Sequence, residues 1–198
     1  MKRLGVLLSG RGSNFQAIAN NIASGRLEAG IEVVISNREQ APGLQIARDL
    51  GLNAIAIPSK GRDRIEYDQQ ILEALGSVDL VCLAGYLRLL SPGFIQAYSQ
   101  RIVNIHPSLL PAFPGLDAQY QALAYGVKVT GCTAHFVDEH LDSGPIILQA
   151  AVPVLHGDTA DSLSARILVE EHRIYTEAIR IVLSGAFRIE DRRVLPPE

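Results

Sequence analysis

With 198 residues, 47% of them hydrophobic and 20% charged, the chain has the composition of a folded protein with a sizeable core, which excludes the disordered, fibrous and disulfide-rich classes. Its formal net charge of -3 supplies no global positive field for a nucleic-acid backbone or an anionic membrane, so an anionic ligand needs a local site. The two cysteines, Cys82 and Cys132, sit inside apolar runs as buried reduced thiols do, which makes a cytoplasmic protein the expectation.

Met1-Lys2-Arg3 precedes the apolar Leu4 to Leu8, but that run is short for the centre of a signal peptide and stops at Ser9-Gly10-Arg11. No later stretch approaches the ~20 apolar residues that span a bilayer. From there, short aliphatic runs near 3–8, 31–36, 53–57, 78–84 and 101–105 alternate with helical periodicity over 14–24, 42–51 and 63–76. Such alternation predicts βαβ units and a parallel sheet. Ser91-Pro92 reads as an N-cap followed by a proline at the first helical position, opening a short helix through Tyr98.

After residue 105 the pattern changes. Pro107, Pro111, Pro114 and Gly115 predict an ordered irregular loop, followed by a helix over 117–125. Two strand-like runs, 128–137 and 145–154, are separated only by residues 138–144, so they can pair antiparallel and make the sheet mixed. A long amphipathic helix over 159–184, capped by Asp158 or Thr159 and ended by Gly185, completes a single α/β domain, expected to be a three-layer α/β/α Rossmann-like arrangement.

Chemistry enters first at Ser9-Gly10-Arg11-Gly12-Ser13-Asn14, where a strand runs through glycines into a helix and converges bare N–H groups on one spot suited to phosphate. A dinucleotide fold is the competitor. Its third glycine would fall at Phe15, and Ser36-Asn37-Arg38 stands where its acid would close strand two. A ligand-free glycine turn is the plainer alternative.

If the fifth strand continues to residue 106, alternation puts Asn104 and His106 on one side, at the carboxyl end where open α/β sheets bind ligands. An imidazole offers a proton near neutral pH and an amide offers an uncharged donor, a pairing suited to a developing oxyanion. Taken singly, a strand-end histidine is more often structural, and Asp142, in Asp-Ser-Gly-Pro, also fits an ordinary turn. Brought near His106, that carboxylate would favour the imidazolium. The other histidines, His135, His140, His156 and His172, form no compact ligand pattern, so no metal is expected, and His135 is placed on a strand face.

Ser9 to Asn14, Leu83-Ala84-Gly85-Tyr86-Leu87-Arg88-Leu89-Leu90, Asn104 to Pro111, Thr130 to Val137 and Leu141-Asp142-Ser143-Gly144-Pro145, taken in order, resemble the folate-dependent formyltransferase family over nearly the whole chain. The resemblance implies formyl transfer from 10-formyltetrahydrofolate to the glycine amine of glycinamide ribonucleotide, in purine synthesis, by direct amine attack. It implies a mainly parallel sheet with an antiparallel C-terminal part, a phosphate-binding half over about 1–100 and a folate-binding and catalytic half over about 101–198.

By the same resemblance, Gly12, Ser13 and Asn14 hold the substrate phosphate and Glu171 meets its ribose. Arg64, Leu87, Arg88, Leu89, Leu90 and Asn104 contact the folate, the arginine at position 64 facing its acidic tail. Asn104 meets the formyl carbonyl, His106 is the general acid, and Asp142 keeps His106 protonated and relays the amine's proton through water. Gln119 and Leu168 depart from close relatives at ribose-phosphate positions. Only small-molecule partners are implied, with a monomer or homodimer and neither nucleic acid nor membrane.

Three rival readings remain. Methionyl-tRNA formyltransferase and formyltetrahydrofolate deformylase share the Asn-His-Asp core, but the first usually adds a tRNA-binding domain and the second a regulatory one. A non-catalytic binding protein would not need the triad. The phosphate loop favours a small phosphorylated acceptor.

Overall fold

The computed structural model describes residues 1–197 and divides into two compact units, Met1–Val103 and the residues from Asn104 onward. In the first, β1 (Lys2–Leu8), α1 (Ser13–Ala23), β2 (Ala29–Ser36), α2 (Pro42–Asp49), β3 (Ala54–Ala56), α3 (Arg64–Leu75), β4 (Leu80–Leu83) and α4 (Pro92–Ala97) alternate as expected. The strands pair in parallel in the order β3-β2-β1-β4. Leu4, Val6, Leu7 and Leu8 of the central β1 are all fully buried, the unbroken apolar run of a parallel strand covered on both faces.

Caps fix where these helices begin. Asp63 accepts from the backbone N–H of Ile65 at 2.8 Å and of Glu66 at 3.2 Å, while Ser91 accepts from Phe94 N–H ahead of Pro92. The next strand, β5 (Ile102–His106), contains the division between the units.

In the second unit, α5 (Ala118–Tyr125) leads to β6 (Val129–Phe136) and β7 (Ile146–Pro153), which pair antiparallel as the sequence predicted. Helix α6 (Ala160–Ser184) packs on both strands through the buried Leu163, Ile167, Ile174 and Ala178. Burying each of the larger aliphatic side chains stabilises by ~1.5–3 kcal/mol. Thr159 and Ser162 cap each other at its start, and Gly185 ends it in the left-handed region.

Two elements were not foreseen. β8 (Arg188–Glu190) and β9 (Arg193–Leu195) form an antiparallel hairpin, and β9 joins β7 in parallel through Ile146 and Arg193. Three-residue strands rich in charge are too short for an alternation to stand out, so their pairing is set by tertiary contact. Across both units the chain is an α/β protein with a mainly parallel sheet and an antiparallel C-terminal part. No helix among the described residues is long and apolar enough to cross a membrane.

Candidate active site

Asn104, His106 and Asp142 come together in the second unit, with a fourth member, His135 of β6. One oxygen of the Asp142 carboxylate lies 3.4 Å from His106 Nδ1 and the other 3.9 Å from His135 Nε2. The Gly115 N–H donates to the oxygen facing His106, at 2.7 Å. Asp142 holds φ at 47°, a left-handed conformation costing a non-glycine residue about 1 kcal/mol or more and persisting only where the surroundings fix it.

Backbone carbonyls set the proton positions on both rings. Phe113 O lies 2.9 Å from His106 Nε2 and can only accept, so Nε2 carries a proton. A second proton, on Nδ1, would face the Asp142 carboxylate, so the imidazolium is satisfied at both nitrogens. In His135 the order is reversed: Nδ1–H donates to Phe136 O at 2.8 Å, which leaves Nε2 as a lone pair accepting from Asn104 Nδ2–H at 3.1 Å. Burial lowers the pKa of His135 from its ordinary 6.5, although the bond to Phe136 O and the charge of Asp142 oppose the shift, and the neutral form is kept.

The loop from Pro107 to Asp117 is irregular, as expected, and is tied to the sheet by side chains. Thr133 Oγ1 donates to Ser108 O at 2.7 Å and accepts from Leu110 N–H at 3.0 Å and from Gln149 Nε2–H at 2.9 Å. Phe113, whose carbonyl meets His106, and Asp117 both adopt positive φ. The first part of the loop that carries this carbonyl and amide is thus tied to β6 and β7, through bonds that no local sequence pattern announces.

In the first unit, Gly12 ends the glycine loop at φ 77° as the N-cap of α1, whose first turn carries no acid and no side-chain cap. The first-turn N–H groups of α1 therefore point at a site suited to an anion. A Cβ on Gly12 would lie 2.8 Å from the Cα of Gly43, at the start of α2, and one on Gly43 would lie 2.8 Å from a Leu8 methyl and 3.2 Å from Gly10 O, so neither position has room for a side chain. Gly43 N–H also donates to Gly10 O at 3.1 Å. The role of Gly43 was not foreseen, because it is distant from the loop in sequence.

The segment at 87–90 is divided between surface and core. Leu87 is 53% exposed and Leu89 55%, whereas Leu90 is buried. Past the carboxyl end of β4, the two half-exposed leucines form an apolar lip. The lip is rigidly held: Leu87 N–H donates to Ser9 Oγ at 2.8 Å, and Ser9 Oγ–H donates to Asn37 Oδ1 at 2.6 Å. Arg88 stacks its guanidinium 4.5 Å over the Tyr67 ring, and Arg64 is exposed on the first turn of α3.

Glu171 lies buried on α6, where its charge helps raise the Cys132 thiol to about 12, behind the larger effect of burial. Among the described residues, no group of three or more His, Cys, Asp or Glu is placed to hold a metal ion.

The formyl transferase family model matches residues 2–179. The chain is 46% identical over 191 residues to the trifunctional purine biosynthetic protein adenosine-3 of Homo sapiens, covering 94% of this chain but only 19% of that protein's length. It is 40% identical over 202 residues to the phosphoribosylglycinamide formyltransferase of Escherichia coli (strain K12), covering 98% of this chain and 95% of that one. The crystal structure of glycinamide ribonucleotide transformylase 1 from Symbiobacterium toebii superposes with a TM-score of 0.96 at 54% identity, covering 100% of this chain and 95% of the other. A shared fold, a match along most of the chain and the Asn104, His106 and Asp142 cluster agree: the chain belongs to the formyl transferase family.

Proposed function

We propose that the chain transfers the formyl group of 10-formyltetrahydrofolate to the glycine amine of glycinamide ribonucleotide, a step of purine biosynthesis. The observation that carries the reading is the cluster of Asn104, His106, His135 and Asp142, in which one imidazole is paired with a carboxylate and the other is held neutral against an amide. Family membership supports it, as do the names of relatives aligned over nearly their whole length.

Gly12, Ser13 and Asn14 hold the phosphate on the N–H groups of the first turn of α1, and Glu171 takes a ribose hydroxyl. Leu87 and Leu89 supply an apolar surface for the pterin, a fit consistent with their exposure, with Arg88 and Leu90 beside them and Arg64 facing the acidic tail. The folate supplies an activated formyl group. Asn104 has one N–H committed to His135 and turns the other toward the formyl oxygen, where negative charge builds as the amine attacks. As the tetrahedral adduct collapses, the bond between the formyl carbon and the folate nitrogen breaks, and His106 acts as the general acid that protonates the departing nitrogen, its looser contact, the one to Asp142 at 3.4 Å, being the side from which that proton leaves. Asp142 stabilises the imidazolium before transfer and accepts the amine's proton through water afterwards.

The test is transfer kinetics with glycinamide ribonucleotide and 10-formyltetrahydrofolate in wild type and His106→Ala. Loss of a general acid lowers kcat by about 10²–10⁴-fold. A variant of undiminished kcat would remove His106 from the chemistry.

A further inference from the structure

The β8–β9 hairpin lies beyond residue 179, where the family match ends, and beyond the Gly185 cap of α6. Its contacts converge on the segment that carries Asp142. The Phe187 ring, at its entry, packs on Phe136 at the end of β6, with centroids 5.4 Å apart. Arg193 pairs with Ile146 at the start of β7. Between these, the Arg192 guanidinium donates to the carbonyl oxygen of Ser143, the residue directly after Asp142. The hairpin is itself braced by Arg188, which donates to Glu190 at 2.8 Å and to Pro196 O at 2.6 Å.

Residues 138–144 contain no helix or strand, and Asp142 within them holds a left-handed φ. On one side the segment is pressed against β6 so closely that a Cβ on Gly144 would stand 1.8 Å from Phe136 O. On the other side the Ser143 carbonyl is held by Arg192. A backbone in a sparsely populated conformation stays there only when contacts on both sides fix it.

We infer that the β8–β9 hairpin is a positioning element for Asp142, with the Arg192 bond to the Ser143 carbonyl as its working contact. This rests on the reading of Asp142 as the carboxylate partner of His106. Without the bond, the peptide after Asp142 relaxes and the carboxylate spends less time 3.4 Å from His106 Nδ1. The alternative is that the hairpin only covers the edge of β7 and contributes to stability alone.

Arg192 is exposed, so Arg192→Ala leaves the core intact. The experiment measures kcat, KM for each substrate and Tm for wild type, Arg192→Ala and Arg192→Lys. One hydrogen bond corresponds to a kcat lower by about three- to tenfold in Arg192→Ala. Both KM values stay within about twofold, since neither the glycine loop nor the leucine lip is touched. Lysine, which can still donate to the carbonyl, restores at least about half of the loss.

The other titratable groups near this pair are the neutral His135 of β6, 3.9 Å from Asp142, and Asp138 in the same segment, whose charge acts on His135. All variants leave them unchanged. A wild-type kcat in Arg192→Ala overturns the inference, as does a lower Tm with a kcat that Arg192→Lys does not restore. A wild type that transfers no formyl group at all overturns the reading of the site, and the inference with it.

Discussion

The two units build their working surfaces from different materials. In the second, four side chains on β5, β6 and a loop interlock, and two backbone carbonyls decide which imidazole nitrogen carries a proton. In the first, the glycine loop and the leucine lip offer backbone N–H groups and apolar area, with the side chains Ser9 and Asn37 behind them as props. Chemistry depends on residue type and protonation, and binding depends on backbone shape. Substitutions in the cluster of Asn104, His106, His135 and Asp142 are therefore expected to act on kcat, and those in the glycine loop and the leucine lip on KM.

The largest effect expected is that of His106→Ala, which lowers kcat by about 10²–10⁴-fold while leaving both KM values within a few-fold. Asn104→Ala removes one oxyanion donor and lowers kcat by about 10²–10³-fold. His135→Leu leaves Asn104 without its acceptor, so the amide no longer keeps one orientation. Its expected cost is about tenfold in kcat, and His135→Gln, which retains an acceptor, recovers part of it. These three are read from steady-state kinetics, and a rise in KM with unchanged kcat would break the division between the units.

In the first unit, Gly12→Ala forces a Cβ to within 2.8 Å of Gly43 at φ 77° and displaces the loop. It is expected to raise KM for the phosphorylated substrate by about tenfold or more with kcat nearly kept. The smallest effect is thermodynamic. Burial lowers the pKa values of His135 and His172 from 6.5, so the unfolded chain binds more protons than the folded one as pH falls below about 6.5. Stability is then lost as pH drops from about 6.5 through the lowered values, and denaturant melts of His172→Gln should show a flatter acid slope than wild type.

Much of the scaffold was legible because parallel strands and amphipathic helices advertise themselves locally, and the caps at Asp63, Ser91, Thr159 and Gly185 mark element ends. Asn104 and His106 were legible for a similar reason, since the period of a strand places them on one side. His135 was read as a strand-face residue, and only the fold reveals that its lone pair faces an amide 31 positions away. The exposure of Leu87 and Leu89, the approach of Gly43 to Gly12 and the β8–β9 hairpin depend likewise on tertiary contacts with no local periodicity.

The most direct measurement counts products. Wild-type protein is mixed with glycinamide ribonucleotide and 10-formyltetrahydrofolate, and formylated amine, free formate and deformylated folate are quantified together. One formylated glycinamide ribonucleotide per folate consumed, and no formate above the enzyme-free control, is the expected result. Formate released in proportion to folate, with the amine unchanged, would contradict it.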